Sequence, residues 1–152
     1  MSFLEEIKKM ENDRNSQENI VLNDILNYFE ERMNKDSFKN NLKDRIKEAL
    51  NKGKNTCDLK IEFWDYTSGC SPTYIYVACC GNFEIKGKDG DYSSYHNYKG
   101  VRLEDIHKRV CSKLSDLLKE KLEELELKIV SSKRKDEESR FNYYEEIITI
   151  KW

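Results

Sequence analysis

Apolar positions in the first third of the chain recur three and four residues apart. Phe3, Ile7 and Met10 share one side of a helix predicted over about 2–12. Ser2 and Glu5 open it as a capping box, each able to satisfy the other's backbone N–H. The polar run NDRNSQEN breaks the pattern. Asn15 or Ser16 then caps a second helix through about Met33, whose stripe is Val21, Leu22, Ile25, Leu26, Phe29 and Met33. Asp36 or Ser37 starts a third, with Phe38, Leu42, Ile46, Ala49 and Leu50 inward and Gly53 as a left-handed cap.

The period then shortens to two. In CDLKIEFWDY, Leu59, Ile61 and Phe63 alternate with Lys60, Glu62 and Trp64, the pattern of a half-buried strand. TSGCSP is turn chemistry. TYIYVACC is a second strand, with Ile75, Val77 and Cys79 facing one way and Tyr74, Tyr76, Ala78 and Cys80 the other. A tight turn at Gly81–Asn82 leads to a third strand through Lys86. After a tyrosine-rich loop comes the longest helix, predicted over about 101–125, with Leu103, Ile106, Val110, Leu114, Leu117, Leu118, Leu122 and Leu125 along one side. LELKIVSS is a fourth strand, KRKDEESR a charged hairpin tip, and FNYYEEIITIKW a fifth strand. The order ααα-βββ-α-ββ predicts an α+β fold in one domain over 1–152. Residues 1–53 are its helical part, and 55–152 hold an antiparallel or mixed sheet of about five strands with the long helix packed on it.

Composition narrows the function classes. The 152 residues are 38% hydrophobic and 37% charged, with a net charge of −2 spread evenly along the chain. Neither the basic excess of a typical nucleic-acid binder nor the acidic excess of a nucleic-acid mimic is present. No apolar run near the N-terminus reads as a signal peptide, and no segment reads as a membrane span, so a cytoplasmic protein without membrane association is expected. The five cysteines, 57, 70, 79, 80 and 111, then read as reduced thiols.

Candidate chemistry is sparse. Cys70 and His96 both fall in loops and form the one arrangement suited to a thiol hydrolase, but no flanking signature supports it. His107 and Cys111, four apart on a helix, point the same way. Paired C-x₂₋₄-C spacing is missing, so core thiols are the stronger reading and no metal is expected. NKGKNT and KGKDGD lack the phosphate-loop pattern, and DGD at 89–91 lacks calcium-loop spacing, so no cofactor is expected either. Lys39, Lys43 and Lys47 recur at i+4 as a basic stripe, the basis of the alternative reading, a nucleic-acid or nucleotide-binding module. Residues 36–125 share the element order α-β-β-β-α with double-stranded-RNA-binding domains, in order alone. Glu104 and Asp105 interrupt the place where such domains carry a lysine cluster.

The segment GKDGDYSSYHNYKG, residues 87–100, is the best hint of a working surface. It spaces Tyr92, Tyr95 and Tyr98 three apart without Ile, Leu, Val or Phe. Tyr, Ser, Gly and Asn dominate recognition loops, where tyrosine gives a rigid contact area with a polar tip. Asp91 and His96 add groups that choose a partner, and Tyr74 and Tyr76 beside Trp64 extend the aromatic surface along a strand face. Against this stands a packing role, in which a short helical turn folds the rings inward. The sequence thus points to a small non-enzymatic module that binds another protein. A phage- or mobile-element inhibitor acting on a host enzyme by steric occlusion is one such protein. A terminal strand EEIITIKW at a sheet edge would either pair with a second copy or be kept from it by its flanking glutamates, and the sequence leaves both open.

Overall fold

The computed structural model describes residues 2–66, 71–138 and 141–152. Helix α1 (Phe3–Met33) runs unbroken through the predicted boundary at 12–19. That polar run holds neither Gly nor Pro, and poor helix formers such as Asn and Ser cost only a few tenths of a kcal/mol each. Arg14 supports the segment by pairing with Glu18 one turn on (3.2 Å) and with Asp105 of the body (3.5 Å). The Ser2–Glu5 capping box is present. Helix α2 (Asp36–Asn51) follows, and Gly53 is left-handed (φ 73°). Its N-cap is Lys35, which makes no side-chain cap bond.

Five strands form one antiparallel sheet in the order β3-β2-β1-β7-β6. They are β1 (Thr56–Tyr66), β2 (Tyr74–Val77), β3 (Gly81–Glu84), β6 (Lys128–Glu138) and β7 (Phe141–Lys151). A two-stranded hairpin of β4 (Asn97–Tyr98) and β5 (Val101–Arg102) lies apart from it. Helix α3 (His107–Glu124) precedes β6.

Several boundaries differ from the sequence pattern. Cys79 and Cys80 belong to a turn rather than to β2: Val77 pairs with Gly81, and Cys79 is left-handed (φ 68°). Helix α3 begins at His107 because Lys99 (φ 48°) and Gly100 (φ 80°) close a tight hairpin, after which Leu103–Asp105 form a 3₁₀ turn. The charged run assigned to a hairpin tip is mostly strand, since β6 continues to Glu138. The terminal strand is not at an edge: β7 pairs with β1 on one side and β6 on the other. Its backbone groups are therefore already used, and pairing with a second copy through EEIITIKW is ruled out.

Among the described residues, all the buried apolar side chains join in one core. Leu59, Ile61, Phe63, Ile75, Val77, Ile148 and Ile150 supply its sheet side. The helices supply Val21, Ile25 and Phe29, then Phe38 and Leu42, then Val110, Leu114, Leu118 and Leu122. Alternate strand residues point away from the helices and stay half-buried or exposed. Among the described residues, no helix is long and apolar enough to cross a membrane.

Candidate interaction surface

The sheet face turned away from the helices is ordered in rows. Register places Glu84, Tyr74, Trp64, Tyr143 and Glu137 side by side across all five strands, an aromatic trio with a glutamate at each end. Trp64 and Tyr143 meet edge to face, with ring centroids 5.6 Å apart. The neighbouring row reads Asn82, Tyr76, Glu62, Glu145 and Lys135. Helix α2 reaches the margin of this face, where Arg45 Nη2 donates to the Tyr76 hydroxyl at 2.8 Å.

Glu62 and Glu145 stand directly opposite each other, an arrangement that repels unless it is countered. Lys60 Nζ lies 3.3 Å from Glu62 and 3.9 Å from Glu145, and the Tyr143 hydroxyl donates to Glu145. The hydrogen bond to Glu62 holds the Lys60 ammonium above its ordinary value. Burial pushes the Tyr74 and Tyr143 hydroxyls upward, with Glu62 adding to both and Glu145 adding to Tyr143. Both rings therefore stay neutral hydrogen-bond donors at physiological pH. Lys60 serves Glu62 and Glu145, and Lys135 Nζ lies 3.1 Å from Glu137, so the carboxylates around the rings outnumber the two lysines paired with them.

The 87–100 segment divides the residues predicted to bind. Tyr92 is 63% exposed and heads a 3₁₀ turn, Tyr92–Tyr95. Asp91 is exposed and accepts from Ser93 Oγ at 2.7 Å. The Tyr95 ring covers Gly87 so closely that a Cβ there would lie 2.1 Å from it, and its hydroxyl bonds Asp89 at 3.3 Å. Tyr98 packs edge-on against Phe83 (5.3 Å) and donates to Asp24 at 3.3 Å. His96 is 3% exposed, so it cannot meet a partner. Its Nδ1 donates to Asp65 Oδ1 at 2.6 Å, and Thr73 Oγ1 donates to the same oxygen at 2.9 Å. The packing role fits Tyr95, His96 and Tyr98, and the surface role is left to Tyr92 and Asp91. The spacing of three does not distinguish these two sets, because the burial of His96 and Tyr98 depends on Asp65, Asp24 and Phe83, all outside the segment.

Cys70 lies outside the described residues, as does the pairing proposed between it and His96. Burial pushes the Cys79 thiol up to about 11 and the Cys80 thiol up to about 12, so neither is a thiolate at neutral pH. Cys57 and Cys111 are buried and likewise raised by burial. Among the described residues no group of three His, Cys, Asp or Glu is placed to hold a metal ion.

His107 and Cys111 belong instead to a polar seam between α3 and the β6–β7 ladder. The His107 ring stacks on Phe63 at 4.4 Å, and its Nδ1 donates to the Glu104 carbonyl at 2.8 Å. Further along, fully buried Glu146 accepts from Ser115 Oγ and Ser132 Oγ, both at 2.9 Å, and from Arg134 Nε at 3.4 Å. His107 Nε2, the Tyr144 hydroxyl and Glu146 Oε1 have no hydrogen-bond partner among the described residues. The seam is closed to a macromolecule, and its bonds tie α3 to the sheet.

Lys39, Lys43 and Lys47 are exposed along α2, and none forms an ion pair among the described residues. The sequence pattern missed Tyr143, Glu145, Glu84 and Glu137 as members of the open face. Their alternation is visible in the sequence, but only strand order reveals that they flank Trp64. The chain matches no protein-family model, no curated protein and no solved structure at a significant level.

Proposed function

We propose that this protein is a non-enzymatic binding module that engages another protein through the open face of its sheet. The row Tyr74–Trp64–Tyr143 carries this reading: three large amphipathic rings stand side by side on a face that none of the three helices buries. Aromatic side chains of this kind supply most of the energy of protein interfaces, since they give large contact area at low entropic cost. Glu84 and Glu137 at the ends of the row, with Glu62 and Glu145 beside it, favour a partner segment bearing arginine or lysine. The same carboxylates oppose a phosphate backbone. Tyr92 and Asp91 form a separate exposed point in the 87–100 loop. The mode of action is steric occlusion of the partner's own surface, as expected of a phage- or mobile-element inhibitor of a host enzyme.

The test compares wild type with Trp64→Ala/Tyr74→Ala and with Lys39→Ala/Lys43→Ala/Lys47→Ala in capture from nuclease-treated lysate. All three must first be shown to melt alike. A stoichiometric protein should be kept by wild type and by the lysine variant and lost by the aromatic one. Each ring truncation should cost about 2 kcal/mol, roughly thirtyfold in affinity. Binding to duplex RNA or DNA that steepens as salt falls, and that disappears in the lysine variant, would replace this reading with the nucleic-acid one.

A further inference from the structure

Strand β6 is one edge of the sheet, and it is long: Lys128–Glu138, paired on one side to β7. Residues 132–137 are exposed. An edge of this length presents a row of unpaired backbone donors and acceptors, which proteins usually protect with charge. Here the charges are ordered, with Lys133, Arg134 and Lys135 followed by Asp136, Glu137 and Glu138. A block of bases followed by a block of acids repels a strand laid parallel to it in register. It attracts a copy of itself laid antiparallel.

Symmetry restricts the register. Two copies of one edge pair antiparallel about a two-fold axis perpendicular to the sheet, which keeps each side chain on its own face. Residues directly opposite share a face, so one residue must sit opposite its own copy. Centred on Lys135, the register sets Lys133 opposite Glu137 and Arg134 opposite Asp136, each twice by symmetry. The single like-charged pair, Lys135 with its copy, lies beside the Glu137 carboxylates, one of which already holds Lys135 Nζ at 3.1 Å within its own chain. The irregularity between Ile129 and Ser131 ends the regular ladder just before this stretch.

We propose that β6 pairs antiparallel with β6 of a second copy, centred on Lys135, to form a ten-stranded sheet across a two-fold homodimer. Because the axis is perpendicular to the sheet, both copies turn their Trp64 faces to the same side. The dimer therefore presents two aromatic rows on one surface, end to end across the seam and staggered by the Lys133–Glu137 spacing, with Glu137 of each copy nearest the seam. The ladder is short and its side chains are solvated, so the association is weak and reversible, and salt loosens it.

Sedimentation velocity over a range of concentrations tests this with Lys133→Glu, Glu137→Lys and the double variant. Both side chains are exposed, so all three should melt like wild type. Wild type should pass from monomer to dimer as concentration rises. Each single variant turns two attractive cross-strand pairs repulsive and should raise the midpoint by roughly tenfold or more. The double variant, and an equimolar mixture of the two singles, should dimerise like wild type again. Wild type that stays monomeric throughout, single variants that dimerise as wild type does, or a double variant that stays monomeric would each overturn the proposal.

Discussion

Asp24 shows how one side chain fastens the tyrosine segment to the helical layer. From α1 it accepts a hydrogen bond from Lys99 Nζ at 2.5 Å and another from the Tyr98 hydroxyl at 3.3 Å. The Lys99 hydrogen bond, against some loss of hydration, holds the Asp24 carboxyl below its ordinary value of 3.8. The same pair holds the Lys99 ammonium above 10.5. A lowered carboxylate contributes stability that is fully present above its unfolded value and is lost as pH falls through its folded value. A raised ammonium contributes stability that is present below its unfolded value and is lost as pH rises through its folded one. Wild type should therefore melt above Asp24→Asn at neutral pH. That gap should close as pH drops below 3.8, and again as it climbs past 10.5. Melting temperatures of both proteins across the pH range check this. Lys99 is exposed and Asp24 only half-buried, so the gap should be small and should shrink in salt. A gap that is independent of pH would mean that the ion pair does not anchor the hairpin.

Among the elements, α3 links the largest part of the core. It buries Val110, Leu114, Leu118 and Leu122 against the sheet, and its Ser115 reaches the buried Glu146 of β7. Leu114 is fully buried, so Leu114→Asp places an unpaired charge there and costs more than the few kcal/mol of a cavity alone. Its cooperative melt should disappear, while Leu114→Ala should melt cooperatively at a lower temperature, about 2–5 kcal/mol less stable. A normal melt for the aspartate variant would contradict helix-on-sheet packing. Element type was legible wherever the apolar period was clean, as in α2, β1 and the body of α3. Ends were legible only where a residue announces them. Ser2 with Glu5 and the left-handed Gly53 did so. Just past the end of α3, Glu126 takes a left-handed conformation (φ 63°), with Leu127 N–H bonded back to the Leu122 carbonyl, and no glycine marks the place. The merger of two predicted helices into α1 was hidden in the same way, since a polar stretch breaks an apolar stripe without breaking a helix. The open face was half legible. Period two named Glu62, Trp64, Tyr74 and Tyr76, while Tyr143, Glu84, Glu137 and Glu145 needed the strand order β3-β2-β1-β7-β6, which is a long-range property.

At the scale of the whole molecule, one core accounts for the body, and α1 extends beyond it. Residues 2–16 are exposed along their whole length, including Phe3, Leu4, Ile7 and Met10, whereas Val21, Ile25, Phe29 and Met33 are buried. The junction is tied by Arg14 to Asp105 and by Gln17 Nε2 to the Lys99 carbonyl at 2.8 Å. Beyond it, about 16 Å of helix over residues 3–13 is held by its own backbone bonds and by the Ser2–Glu5 cap. An isolated helix this short is marginal in water, because nucleation is costly. Here the packed half of α1 supplies the nucleus, and the arm is an elongation from it. Opening the arm thus costs a few propagation steps, and opening residues 21–33 costs the fold. Hydrogen exchange followed by mass spectrometry should show the amides of 6–13 exchanging through local fraying. Those of 25–33 should exchange only with global unfolding, and only the second group should slow when the protein is stabilised. Equal protection across α1 in dilute solution would mean that the arm is packed against something, in this chain or another, and that the core extends past Arg14.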